Sequence, residues 1–170
     1  MLKILISGCN GHMGQVVAQI CRESGDVEVA AGFDLLGQEL EDFPVYSSPA
    51  AFQGQADALI DFSSPAALPA LLELGAVRHI PLVLATTGYS PKQLATIDDT
   101  ARKVPIFRSG NMSLGINVLT ELVSKAAAAL GSDFDVEIIE RHHRRKVDAP
   151  SGTALMLAQA ASAALPKAPE

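Results

Sequence analysis

The first feature of this sequence that could carry chemistry is a run of six polar residues, Arg-His-His-Arg-Arg-Lys, at positions 141–146. It concentrates cationic and imidazole side chains in a chain whose net charge is −6. Such a run can be a solvated loop, a nucleic-acid patch, or a pocket for a small polyanion in which a His or Lys donates a proton. No aromatic side chain is interleaved for base stacking, which disfavours nucleic acid.

The segment after this run favours the anion pocket. Residues 148–154 read Asp-Ala-Pro-Ser-Gly-Thr-Ala and lead into an alanine-rich helix that Ser151 can cap. Gly152 leaves the first backbone N–H groups uncovered, and a helix start of this kind binds carboxylate or phosphate. A substrate with more than one carboxylate would satisfy both the cationic run and the helix start. The solvated loop remains the alternative.

A second candidate site is the glycine turn near the N-terminus. Gly8, Gly11 and Gly14 are spaced three residues apart, between a predicted buried strand and a predicted amphipathic helix. This is a variant of the dinucleotide-binding fingerprint, in which residues without Cβ let the backbone approach a pyrophosphate. The helix that follows offers free N–H groups and its positive dipole end to the anion. An ordinary strand-to-helix turn is the alternative.

Asp34 supplies the acid that a dinucleotide site needs after its second strand. It follows the predicted strand 27–33 and lies 20 residues after Gly14. A carboxylate there accepts the ribose hydroxyls of NAD and repels the 2′-phosphate of NADP. Since Leu35, Leu36 and Gly37 include no cation, the sequence favours NADH over NADPH. The alternative is that Asp34 is a solvated loop residue.

The elements that must position these residues alternate between short aliphatic strands and amphipathic helices, which predicts an α/β fold with a doubly wound, Rossmann-type parallel sheet. The loops after three strands place Ser63, Thr87 and Ser113 either at a cofactor or at helix caps. The segment 35–52 is too poorly patterned to predict an element. The predicted strands are 2–7, 27–33, 58–62, 81–85, 106–107 and 135–140, and the predicted helices are 13–22, 65–74, 91–103, 115–130 and 151–165, followed by a frayed tail at 166–170.

Composition limits the function classes. Hydrophobic residues make up 48% of the chain and the mean hydropathy is +0.24, which indicates a globular core rather than disorder. The 19 acidic against 13 basic residues disfavour nucleic acid and anionic membrane as partners. Cys9 and Cys21 lack the spacing of a disulfide scaffold or a metal site, so no metal is predicted and a reducing cytoplasm is the default. We expect no apolar run of the roughly 18 residues that a membrane span needs.

Together these segments resemble the dihydrodipicolinate reductase family, also called 4-hydroxy-tetrahydrodipicolinate reductase, of bacterial lysine and diaminopimelate biosynthesis. Residues 140–154 resemble the family signature E-x-H-H-x-x-K-x-D-A-P-S-G-T-A over its full length. The glycine turn and the segments 61–63, 85–88 and 111–117 are similar to the family in the same order. In this family a hydride passes from NAD(P)H to the ring of a small cyclic dicarboxylate, which gives tetrahydrodipicolinate.

The resemblance implies roles for individual residues. His142 would be the catalytic proton donor or acceptor and Lys146 a second proton donor. The substrate carboxylates would be held by His143, Gly152 and Thr153. The nicotinamide cofactor would be lined by Gly8, Cys9, Asn10, Gly11, His12, Met13, Asp34, Ala85, Thr86, Thr87, Ser109, Gly110, Asn111 and Met112.

The sequence departs from the family pattern in two ways. His12 stands where the family usually has Arg, and no cation follows Asp34, so the resemblance implies a preference for NADH, with NADPH possible. Family members also continue well beyond residue 170. We therefore expect a dinucleotide-binding Rossmann domain at 1–113 and, at 114–170, the N-terminal part of an incomplete α+β substrate-binding and tetramerisation domain.

From this we expect a truncated form that binds dinucleotide but turns over poorly, derived from a cytoplasmic homotetramer. One alternative is a dinucleotide-binding module without turnover. Another is a dehydrogenase of a different small substrate, such as aspartate or homoserine, which would have no need of the segment from Glu140 to Thr153.

Overall fold

The computed structural model describes residues 1–37, 42–144, 146 and 149–165, and the predicted tail at 166–170 lies outside them. The chain divides into two compact units, Met1–Ser109 and Gly110–Glu170, and each is described by itself.

The first unit is built on a six-stranded sheet in the order β3-β2-β1-β4-β5-β6. Every neighbouring pair of strands is parallel, which confirms the predicted doubly wound α/β class. The strand order reverses between β1 and β4, and in open parallel sheets ligands bind beyond the carboxyl ends of the strands at such a point. The strands are β1 (Leu2–Ser7), β2 (Val27–Phe33), β3 (Val45–Tyr46), β4 (Ala58–Asp61), β5 (Leu82–Leu84) and β6 (Ile106–Arg108).

Both faces of the sheet are buried at its centre. In β1, Leu5 belongs to one apolar cluster, whereas Ile4 and Ile6 belong to another, because successive strand side chains point to opposite faces. Leu5 and Ile6 are both fully buried. This explains why β1 reads as a continuous aliphatic run rather than as an alternating one.

Three helices connect these strands: α1 (His12–Ser24), α2 (Leu68–Arg78) and α3 (Pro91–Thr100). The helix predicted from residue 65 begins instead with a 3₁₀ turn, Pro65–Ala67, and only then becomes α2. α3 starts at a capping box in which the Ser90 hydroxyl accepts from the Gln93 N–H and the Gln93 side chain accepts from the Ser90 N–H. Helices of 10 to 13 residues supply the crossover connections that parallel strands need.

Strand β3 lies in the segment for which no element was predicted. It has only two residues, Val45 and Tyr46, which is too short for a periodic pattern. It adds to the edge of the sheet because the Gly32 N–H donates to the Pro44 carbonyl at 2.9 Å and the Asp34 N–H donates to the Tyr46 carbonyl at 3.1 Å. Its pairing to β2 is therefore a tertiary effect.

In the second unit the described residues form two helices, α4 (Leu114–Leu130) and α5 (Gly152–Ala164). The predicted strand 135–140 is wrong, because this segment has no ladder hydrogen bonds. Its pattern suits a strand, but no other extended segment among the described residues of the unit pairs with it, and Ile139 is 85% exposed. The predicted α+β character of this unit is therefore not observed in the part of the chain that the structure describes.

One helix passes a length and composition test for a membrane span, contrary to our expectation. Residues Leu114–Asp133 have a mean hydropathy of 1.2, and 6% of the window is buried. The helix also carries an ion pair, in which Lys125 Nζ lies 3.3 Å from Glu121 Oε1. Length and composition alone do not separate a spanning helix from an apolar helix that packs against protein.

Candidate functional site

The glycine turn packs its backbone against the loop that follows β4, on the other side of the switch point. Gly8 has φ +77°, and a Cβ there would lie 2.6 Å from the Phe62 carbonyl oxygen. The Gly8 N–H donates to the carbonyl of Phe33, the last residue of β2, at 2.8 Å. Only glycine satisfies both the left-handed backbone and this close approach.

Gly14 brings the start of α1 onto the same turn. A Cβ at Gly14 would lie 2.7 Å from the Cα of Cys9 and closer still to the Gly8 carbonyl oxygen. Gly11 is the N-cap residue of α1 and provides no side-chain cap, so the first N–H groups of the helix are not closed by a side chain. These groups and the helix dipole suit an anion.

Asp34 joins the end of β2 to the glycine turn. Its Oδ2 accepts from the Asn10 N–H at 3.2 Å and its Oδ1 accepts from the Leu36 N–H at 3.1 Å. Asp34, Gly8 and Gly11 all line one cavity of about 440 Å³. The structure thus brings the predicted acid and the predicted glycines together at the switch point.

The other predicted residues of the turn differ in exposure. His12 and Met13 are exposed, whereas Cys9 is fully buried. Burial, and after it the charge of Asp34, raises the pKa of the Cys9 thiol to about 11. Cys9 is therefore a neutral thiol near pH 7, and it can serve the site only through its backbone and its packing.

Asp61 is a buried acid that our site prediction did not include. It ends β4, its side chain is 0% exposed, and it accepts from the N–H and hydroxyl of Ser63 and from the Tyr89 hydroxyl at 3.2 Å. Burial, and then the Asp61 charge, raise the pKa of Tyr89, which keeps its hydroxyl a donor. Asp61 therefore ties the loop after β4 to the loop after β5. A lone acid in an aliphatic strand is the sequence signal that could have found it.

The predicted cofactor residues after β5 and β6 lie at the same edge of the sheet. The Ala85 N–H donates to the Asp61 carbonyl at 2.9 Å, and the Ser109 N–H donates to the Leu84 carbonyl at 3.2 Å. Thr86 is buried and Thr87 exposed. Of the described residues, Ala85 to Thr87 and Ser109 are not among those that line the 440 Å³ cavity.

Helix capping explains the hydroxyl residues of these loops only in part. The Ser63 hydroxyl donates to Asp61, and neither Ser64 nor Ser113 accepts a capping hydrogen bond through its side chain. The cap alternative is therefore wrong for Ser63, whereas Ser113 does occupy the N-cap position of α4, although without a capping hydrogen bond from its side chain. Thr87 is exposed and precedes Ser90, which is the residue that caps α3.

In the second unit, Glu140 connects His142 to the start of α5. Ser151 is the N-cap, as predicted, and its hydroxyl accepts from the Ala154 N–H at 3.1 Å. The Ser151 N–H donates to Glu140 Oε1 at 2.9 Å, and Glu140 Oε2 lies 3.5 Å from His142 Nδ1. The Ser151 hydrogen bonds, followed by the His142 and Lys146 charges, lower the pKa of Glu140, so it is ionised at neutral pH.

Two further predicted residues meet in the same unit. Asn111 Nδ2 donates to Thr153 Oγ1 at 2.8 Å, which joins a predicted cofactor residue to a predicted substrate residue. Gly110 and Met112 flank Asn111 at the beginning of this unit. His143 is exposed, and its carbonyl accepts from the Lys146 N–H at 3.1 Å. Gly152 is the first residue of α5, whereas Arg145, Val147 and Asp148 of the signature segment lie outside the described residues.

Comparisons with known proteins find similar sequences over nearly the whole chain. The family model for the N-terminus of dihydrodipicolinate reductase matches residues 2–112, and the model for its C-terminus matches residues 115–169. The chain is 51% identical over 167 residues to the 4-hydroxy-tetrahydrodipicolinate reductase of Caldanaerobacter subterraneus, which covers 98% of this chain and 66% of that protein. It is 44% identical over 158 residues to the enzyme of the same name from Clostridium tetani, which covers 93% and 62%.

A solved structure is similar as well. Dihydrodipicolinate reductase from Paenisporosarcina, determined with dipicolinate bound, aligns with a TM-score of 0.77 at 28% identity, over 100% of this chain and 69% of that one. The chain therefore spans somewhat under two thirds of the length of its curated relatives.

We expect Gly14→Ala to lower the free energy of unfolding by about 1–3 kcal/mol, because the added Cβ overlaps the Gly8 carbonyl and the backbone must move. Gly115→Ala, near the start of α4, is the matched control: its Cβ would find only the Ser113 hydroxyl, at 3.8 Å, so helix propensity leaves stability unchanged or raises it by up to about 1 kcal/mol. Urea unfolding followed by circular dichroism measures both. Equal effects of the two substitutions would contradict the close approach.

We expect Asp61→Ala to lower the free energy of unfolding by about 2 kcal/mol, since it leaves half-buried donors of Ser63 and Tyr89 without their acceptor. Tyr89→Phe removes only one of these hydrogen bonds and should cost about 1 kcal/mol. Asp98→Ala, an exposed acid on α3, is the control and should stay within about 0.5 kcal/mol of wild type. An Asp61→Ala protein as stable as Asp98→Ala would show that the buried network contributes nothing.

Proposed function

The chain belongs to the dihydrodipicolinate reductase family, and on that premise we propose that it reduces 4-hydroxy-tetrahydrodipicolinate to tetrahydrodipicolinate in lysine and diaminopimelate biosynthesis. The conversion adds one hydride and one proton to the substrate and loses the 4-hydroxyl as water. The observation that carries the proposal is the arrangement of Glu140, His142 and Ser151 at the start of α5, because it joins an imidazole to a helix start suited to carboxylates.

The first unit would hold a nicotinamide dinucleotide, which supplies the hydride. The glycine turn fits this group. Cβ atoms at Gly8 and Gly14 would overlap neighbouring backbone atoms, so the turn stays free of side chains there, and the uncapped start of α1 offers N–H groups to a pyrophosphate. Asp34, at the wall of the same cavity, would accept the ribose hydroxyls. Ala85, Thr86, Thr87 and Ser109 would contribute from the ends of the next strands.

We further propose that NADH is preferred over NADPH. The support is the sign of the charges around the ribose site: Asp34 is acidic, and Leu35 and Leu36, which follow it, are apolar and exposed. None of the described residues that line the cavity is Lys or Arg, so a 2′-phosphate would meet the Asp34 carboxylate without a cation there to offset the repulsion.

The substrate dicarboxylate would bind in the second unit. Its carboxylates would be held by His143 and by the N–H groups and hydroxyl at Gly152 and Thr153. The Thr153 hydroxyl accepts from Asn111, so its own proton is free to be donated to a carboxylate. The exposed Arg141 and Arg144 add positive potential that attracts a dianion.

His142 and Lys146 would provide the proton. Hydride addition leaves a carbanion-like centre on the ring, and an acid must lie within hydrogen-bond reach of that atom. An imidazole or an ammonium group can give that proton once the substrate lies against it.

We also propose a separate role for each of the two parts of the chain. Residues 1–113 would form the dinucleotide-binding domain, and residues 114–170 would contribute to the substrate-binding and tetramerisation domain. The working protein would be a homotetramer in the cytoplasm. The module without turnover is less favoured, because the relatives that match nearly the whole chain carry the name of a reductase.

If Asp34 sets the cofactor preference, the wild-type Kd for NADPH is higher than that for NADH. Asp34→Asn should then lower the ratio of the NADPH Kd to the NADH Kd by about tenfold, or ~1.4 kcal/mol. Asparagine keeps an acceptor for the Asn10 or Leu36 N–H but removes the charge that repels the phosphate. Fluorescence titration with the two reductants measures the ratio. Tighter binding of NADPH than of NADH by the wild-type protein would overturn the preference.

For the chemistry, we expect His142→Gln and Lys146→Ala each to lower kcat by about 100-fold or more with little change in NADH affinity, because each removes a proton donor and leaves the first unit intact. Lys92→Ala, which removes an exposed cation from α3, is the control and should keep wild-type kcat. Unchanged kcat in both His142→Gln and Lys146→Ala would remove these residues from the reaction.

Ligand binding distinguishes a reductase from a dinucleotide-binding module without an activity assay. NADH and pyridine-2,6-dicarboxylate, a product-like dianion, should each raise the melting temperature of the chain. Stabilisation by NADH alone would favour a dinucleotide-binding module instead of a reductase.

A further inference from the structure

One carboxylate oxygen of Glu140 accepts a hydrogen bond, and the other lies beside an imidazole without a hydrogen-bond partner among the described residues. Oε1 accepts from the Ser151 N–H at 2.9 Å, and Oε2 lies 3.5 Å from His142 Nδ1. The side chain is 27% exposed, and that of His142 is 39% exposed. Glu140 thus lies between the proposed proton donor and the proposed anion-binding helix start, and neither the composition nor the spacing of the sequence assigned it a role.

On the Ser151 side, the contact sets the direction in which α5 begins. Ser151 is buried, and its hydroxyl is already used to cap the Ala154 N–H. Glu140 accepts a hydrogen bond from the Ser151 N–H, so both the N–H and the hydroxyl of the N-cap residue are hydrogen-bonded. The N–H groups of the next two residues, Gly152 and Thr153, are then presented in one direction.

On the His142 side, the contact selects a tautomer. A carboxylate is an acceptor only, so a neutral imidazole next to it carries its proton on Nδ1 and leaves Nε2 for another partner. The Ser151 hydrogen bonds lower the pKa of Glu140, which keeps it a carboxylate at neutral pH. At 3.5 Å the two atoms are not hydrogen-bonded in this structure, and Oε2 has no hydrogen-bond partner among the described residues. Contacts of catalytic groups are often this long without substrate and tighten in the substrate complex.

We propose that Glu140 is a positioning residue: its carboxylate holds the His142 ring with the proton on Nδ1 and, through Ser151, holds the start of α5. The inference rests on the proposed function in one respect: it takes His142 Nε2 to be the atom that gives a proton to the substrate. After Nε2 releases that proton, the neutral imidazole keeps its hydrogen on Nδ1 facing Oε2, so the product tautomer is the one that Glu140 stabilises. The same carboxylate fixes the proton donor relative to the amides that hold the substrate.

Substitution by glutamine separates the two contacts. In Glu140→Gln, the amide oxygen can still accept from the Ser151 N–H, which turns the amide NH₂ toward His142 Nδ1. Nδ1 can then only accept, and the proton of the neutral ring moves to Nε2. Glu140→Ala loses both contacts. Glu137→Gln, an exposed acid on the same segment, is the matched control.

The test is ¹⁵N NMR of the imidazole nitrogens in the full 170-residue chain, above the titration range of histidine, with the His142 signals assigned by their loss in His142→Gln. We expect the Nδ1–H tautomer in wild type and Glu137→Gln, and the Nε2–H tautomer in Glu140→Gln. An Nε2–H tautomer in wild type, or no change in Glu140→Gln, overturns the proposal. The wild-type spectrum decides the matter even if a variant fails to fold.

Binding of pyridine-2,6-dicarboxylate by titration calorimetry separates positioning from general support of the fold. We expect Glu140→Gln to keep the Kd within about twofold, because the cap is retained, and Glu140→Ala to weaken it by about tenfold or more. Equal losses in both variants would show that Glu140 acts only as a structural cap. Failure of the proposed function looks different: wild type would then not bind the dicarboxylate, whereas the histidine tautomers would still report on the Glu140 contact.

Discussion

The first unit depends on backbone contacts that leave no room for a Cβ. At Gly8 the backbone meets the Phe62 carbonyl across the switch point, and at Gly14 the first turn of α1 meets the Gly8 carbonyl. β1, α1 and β4 therefore converge on one turn, and the Gly8 N–H ties it to Phe33 at the end of β2. The glycine spacing that exposes amides to an anion is thus the same spacing that lets the central elements pack.

Three carboxylates at the candidate sites have different roles because their surroundings differ. Asp34 lines a cavity and accepts two backbone N–H groups, so its charge is available to a ligand. Asp61 is fully buried, and its carboxylate oxygens accept hydrogen bonds from Ser63 and Tyr89, so the group is not accessible to a ligand. Glu140 lies between these cases, with one oxygen on a helix cap and the other beside an imidazole. Residue type alone cannot separate such roles, since it is the donors around each acid that decide them.

How much of this could be predicted from the sequence depends on how local each feature is. The aliphatic runs and the glycine spacing predicted the parallel sheet and the place of Asp34, because both follow from patterns within about 35 residues. The edge strand Val45–Tyr46 and the buried Asp61 were missed, since each depends on partners brought together by the fold. The strand predicted at 135–140 failed for the same reason: an alternating pattern permits a strand, but a neighbouring strand must complete it.

The arrangement of Glu140, His142 and Ser151 in the second unit does not depend on a strand at residues 135–140. Glu140 and Ser151 are 11 residues apart, and one hydrogen bond from backbone N–H to carboxylate closes the loop between them. Closing so short a loop costs little entropy, and a charged acceptor strengthens the bond. His142 lies inside this loop, so its position relative to α5 is set locally and does not require residues 135–140 to join a sheet. Glu140, His142 and the start of α5 therefore form one local unit, whereas the surrounding architecture depends on partners that are distant in sequence.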